Sequence, residues 1–89
     1  MKPRSAGQLY VRPHMSPTEI DAAILAVAAP AWRKVAMIVV TTAEHLGIVG
    51  IDQAAYDAIA ERIKVLVTSG QLVSEGDLSS WRHSEVKLP

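Results

Sequence analysis

The chain has no cysteine and no phenylalanine, and only four aromatic residues, two Trp and two Tyr, in 89 positions. Without cysteine there can be no disulfide and no thiolate metal site. The uninterrupted apolar runs, Ala22 to Ala29 and Val35 to Val40, are far below the roughly 20 residues needed to span a bilayer. The first residues carry Lys2 and Arg4 but no apolar core behind them, so they do not read as a secretory signal. A cytoplasmic protein with no membrane partner is the expectation. Net charge is also missing, since nine basic residues balance nine acidic ones. The balance hides an asymmetry. Residues 1–14 hold Lys2, Arg4 and Arg12 with no acid, a net of +3. Residues 15–89 hold six basic and nine acidic residues, a net of −3.

Eighty-nine residues make one domain. A domain this small buries only about 60–65% of its unfolded surface, so a partner would add needed stability. Residues 1–15, "MKPRSAGQLYVRPHM", have two prolines, a glycine and no sustained period, and read as a flexible arm. His14-Met15 resembles a cloning junction, so Met15 is an alternative first residue and the arm either tag-derived or a misassigned start. The domain proper is 16–89.

Ser16-Pro17-Thr18-Glu19 is a helix start, with Ser at the cap, Pro at the first position and Glu placed to reach back. Ile20, Ile24 and Val27 follow at helical spacing, and Pro30 either stops this helix or starts the next. A second helix is expected from about Ala31 to Leu46, closed by Gly47. Trp32, Val35, Val39, Ala43 and Leu46 lie on one side, and Met37, Ile38 and Val40 add apolar surface beyond that stripe. Such a helix is either central or covered by a second subunit. The third helix runs from Asp52, a good N-cap, to Gly70. Ala55, Ile59, Ile63, Leu66 and Val67 form its inner face and Tyr56 its border. After Gly70 the period changes to two, in "QLVSEG" and "HSEVKL", giving a hairpin with a loop longer than a tight turn. The fold expected is therefore mainly α with a small antiparallel β-hairpin.

Three helices followed by a hairpin resemble the order of winged helix-turn-helix domains. The likeness is most detailed over 56–88, through Arg62-Ile63, Leu66, Gly70, Leu72, Gly76, Arg82, Val86 and Leu88. The segments around Ile24-Leu25-Ala26, Trp32, Lys34-Val35-Ala36, Gly76-Asp77, Arg82 and Glu85-Val86 are similar to a bacterial domain family of unknown function. That second likeness implies no activity. The first implies a three-helix winged-helix-like domain, and with it DNA binding through the third helix and the wing. Two features depart from DNA readers of that family. The second helix, at about four turns, is long for the family, and the outward side of the third offers Asp52, Gln53, Tyr56, Asp57, Glu61 and Lys64.

Affinity for DNA comes chiefly from Lys and Arg neutralising phosphates, and a helix bearing Asp57 and Glu61 opposes it. The candidate DNA contacts are Arg62, Lys64, Arg82 and Lys87, with Arg4, Tyr10 and Arg12 of the arm reaching into a minor groove. Nucleic acid is thus the disfavoured partner. Trp81-Arg82-His83 is the candidate protein contact, joined by Tyr56, because Trp and Arg dominate interface hot spots. The plainer reading makes Trp81 a lid over Leu78 and the helices, with Arg82 pinned to Asp77. Likewise Trp32 is expected to close over the core, with Arg33 and Lys34 a solvated pair.

His14, His45 and His83 lie in three segments with no ligand spacing, so no metal or other cofactor is expected. There is no nucleophile elbow or phosphate-cradling loop, and "GIVGID" reads as an interhelical link. The expectation is no enzyme, but a protein–protein interaction or regulatory module forming a homodimer or meeting another protein. A dimeric DNA-binding regulator is the alternative.

Overall fold

The computed structural model describes residues 16–89; the arm, and with it the minor-groove contacts assigned to Arg4, Tyr10 and Arg12, lies outside them. The elements are α1 (Pro17–Val27), β1 (Arg33–Lys34), α2 (Val35–His45), α3 (Gln53–Thr68), β2 (Val73–Gly76), a 3-10 turn (Trp81–His83) and β3 (Ser84–Lys87). The strands form one antiparallel sheet in the order β1-β3-β2. The fold is mainly α with a small antiparallel sheet, compatible with a winged-helix-like arrangement.

Local chemistry explains both well-bounded helices. The Ser16 hydroxyl accepts from the Glu19 amide at 3.3 Å and donates to the Glu19 carboxylate at 3.2 Å, while Pro17 occupies the first turn. The Asp52 carboxylate accepts from the Ala55 amide at 3.0 Å and opens α3. These contacts satisfy amides that the first turn of a helix otherwise leaves without partners.

The second helix begins at Val35 rather than Ala31, and is 11 residues long. The residues ahead of it are drawn into the sheet. Ala28 is already extended, and Ala29, which precedes Pro30 and so avoids the helical region, accepts from the Leu88 amide at 2.8 Å. Arg33 and Lys34 then pair with Val86 and Glu85. Strand pairing overrides the modest helix propensity of this stretch, so the expected hairpin is a three-stranded sheet. The excess length expected of the second helix disappears with the same correction.

The core is aliphatic. Ile24, Ile38, Val39, Ile59, Ile63, Leu66, Leu72 and Val86 are all fully buried between the three helices and the inner sheet face. Helix α2 contacts α1, α3 and the sheet, which accounts for apolar residues on more than one of its sides. Only Met37 and Val40 among its large apolar residues remain exposed. Trp32 does not join the core. It is 37% exposed, and the Lys87 ammonium sits 5.5 Å from its ring centre.

Candidate functional site

The loop between β2 and β3 is built by backbone hydrogen bonds. The Asp77 carbonyl accepts from the Ser80 amide at 2.8 Å, and the Ser80 carbonyl accepts from the His83 amide at 3.0 Å and the Ser84 hydroxyl at 2.8 Å. Asp77 spends its carboxylate on the Ser79 amide at 2.9 Å. The expected Arg82–Asp77 ion pair is not among the ion pairs of the described residues. Gly76 enters the loop at φ 86, with the His83 carbonyl where a Cβ would sit. Glycine alone fits here without displacing backbone.

This scaffold turns Trp81 inward and leaves Arg82 and His83 exposed. Trp81 and Leu78 are half-buried against the core, as the lid reading anticipates. Trp81 also forms one wall of an open groove of about 430 Å³ between α3 and the loop, with Asp57, Ala60, Glu61, Lys64 and Ser79 as the other lining residues. The two carboxylates are exposed and are met only from their own helix, Asp57 by the Gln53 amide at 2.9 Å and Glu61 by the Lys64 ammonium at 3.0 Å. Neighbour contacts of this kind on a helix surface contribute only about 0.2–0.5 kcal/mol each. The carboxylates thus remain open to an incoming cation. Tyr56 is half-buried and packs on the core, but does not line this groove.

Three of the four proposed DNA contacts are already engaged. Arg62 holds Asp21 of α1 through two 2.8 Å hydrogen bonds; hydrogen bonding to that carboxylate raises the guanidinium pKa, outweighing desolvation. Lys64 is bound to Glu61, and Lys87 lies over Trp32. Arg82 alone is exposed and in no ion pair among the described residues.

The cation cluster that does form was not foreseen. Strand β1 runs beside β3, and the 3-10 turn packs against both β1 and α2. Arg33 and Lys34, both exposed and projecting to opposite faces of the strand, thereby come near Arg82 and His83 in a basic corner of the fold. A two-residue strand carries no periodicity that could reveal this in a sequence. A second missed feature is the α2–α3 link. Ile48 is buried there, while Val49 and Ile51 are 93% and 89% exposed beside Gly47 and Gly50 at φ 80 and 76.

No family model, curated protein or solved structure matches this chain. The functional reading therefore stands on its own residues. Among the described residues no three His, Asp or Glu side chains gather as a metal site, and no helix is long and apolar enough to cross a membrane.

Proposed function

We propose that this protein is a protein–protein interaction module that acts as a homodimer through its wing side. The carrying observation is the α3–loop groove, where an aromatic wall stands beside two exposed carboxylates. Aromatic residues bury large area at little entropic cost, and carboxylates select a cationic partner surface. The same carboxylates would face phosphates if α3 entered a DNA groove. A chain with few aromatics has placed one of its two Trp side chains in this wall. Sedimentation of the full chain over a range of concentrations tests the reading. Self-association that deepens with concentration supports it, and a monomer at every concentration refutes it.

One observation favours a second reading, a DNA-binding regulator. Arg33, Lys34 and Arg82 form a basic corner without using α3. On that reading, replacing Lys34 and Arg82 with Ala weakens DNA binding for every sequence alike and flattens its salt dependence.

A further inference from the structure

The α3–loop groove extends beyond its Trp81 end. Glu61 and Lys64, which line it, also line a second open hollow with Val65, Thr68 and Ser69. From Asp57 to Ser69 the strip runs about 18 Å along α3, room for about five residues of extended chain at roughly 3.3 Å each. Its walls set the chemistry of what can lie there. Trp81 and the 44% exposed Val65 offer apolar surface. Asp57 and Glu61, set against Lys64 alone, leave the strip acidic. A fitting occupant is a short segment that joins apolar side chains to cations and carries no acid.

The chain supplies such a segment itself. Residues 1–15 hold Lys2, Arg4 and Arg12 and no acid, and Leu9-Tyr10-Val11 runs directly into Arg12. We propose that residues 1–15 occupy the groove of their own chain, with the Leu9–Val11 run along the apolar wall and the arginines on Asp57 and Glu61. The inference rests on reading this groove as the protein-contact surface, and makes the arm the competitor of a second copy for it. Tether and charge both favour this occupant. The arm joins α1 at Ser16, and Asp21 of α1 is clamped to Arg62, the neighbour of Glu61 on α3. Arg12 lies four residues ahead of Ser16, about 13 Å of extended chain, while a helix with its side chains is about 10–12 Å across. The arm can therefore pass round α3 within its own domain, where the tether holds it at a local concentration on the order of millimolar. The arm is +3 and residues 15–89 are −3, so arm and domain attract while two domains repel.

The chain has no cysteine, so an added pair reports a single contact. In the full-length protein, Val11→Cys with Ser79→Cys on the groove wall is expected to close an intramolecular disulfide under mild oxidation, seen as a faster monomer band on a non-reducing gel. Adding Asp57→Lys and Glu61→Lys is expected to slow closure about ten-fold, the scale of a few surface ion contacts acting together. Adding Arg4→Glu and Arg12→Glu to that variant is expected to restore closure, which loss of fold cannot mimic. Closure indifferent to these charges would mean chance encounter and overturn the proposal, as would failure of the reversed arm to restore it. A disulfide found only between two chains would also overturn it, placing the arm in the groove of a second copy. Sedimentation of the wild type decides the homodimer reading separately, because self-association can fail while the intramolecular closure holds.

Discussion

Arg62 on α3 grips Asp21 on α1 with two 2.8 Å hydrogen bonds, joining residues 41 positions apart. Both side chains are about three-quarters covered, at 28% and 24% exposed. The pair clamps the first helix to the third and takes the third helix's guanidinium out of play as a phosphate contact. Asp21→Ala should lower the melting temperature in thermal unfolding without any gain of DNA affinity. A gain would mean that the clamp, rather than the surrounding acids, silences Arg62.

Thr42 is a site where the chain loses stability. Its hydroxyl is fully buried in α2 with no hydrogen-bond partner. A buried polar group left unmatched costs about 1–3 kcal/mol. Valine has nearly the same shape without the hydroxyl, so Thr42→Val should stabilise the domain by roughly 1 kcal/mol in urea denaturation. An unchanged or lower midpoint would show that the hydroxyl has a partner after all.

Gly76 carries the opposite prediction. At φ 86, with the His83 carbonyl in the place of a Cβ, alanine must both enter the left-handed region and push the loop aside. The left-handed cost alone is roughly 1–2 kcal/mol. Gly76→Ala should therefore destabilise the domain by more than that in chemical denaturation, and displace the turn bearing Trp81. Gly70, at φ 84 with open space around it, should lose only the conformational part.

Trp81 serves both core and groove, and its removal should separate the two. Part of its surface is already in water, so Trp81→Ala should cost about 2 kcal/mol in denaturant unfolding, less than the 3–5 typical of a fully buried Trp. The domain should stay folded while self-association is lost. A folded variant that still dimerises would leave Trp81 as a lid alone.

The helices that announce themselves chemically were legible in the sequence. Ser16-Pro17-Glu19 and Asp52 mark starts that hold to within a residue, and the spacing from Ala55 to Leu66 marks the buried side of α3. The second helix was misplaced at its start because Trp32-Arg33-Lys34 has ordinary helical propensity, and only pairing with Glu85 and Val86 makes it strand. The same pairing put Trp32 outside the core and Arg33 and Lys34 beside the wing. Composition foretold an acidic α3 surface; the groove that joins it to Trp81 depends on how the loop folds back, which Asp77, Ser79 and Ser80 decide through short-range hydrogen bonds.

The most direct test of whether this surface takes protein rather than nucleic acid is an anisotropy titration of labelled random-sequence duplex DNA. It should be run at low and moderate salt, with the full chain and with a version starting at Met15. Asp57 and Glu61 on the outward side of α3, with Arg62 and Lys64 engaged, predict no salt-sensitive binding by the version starting at Met15. Binding by both versions that weakens steeply as salt rises would contradict the account and make the basic corner a DNA contact.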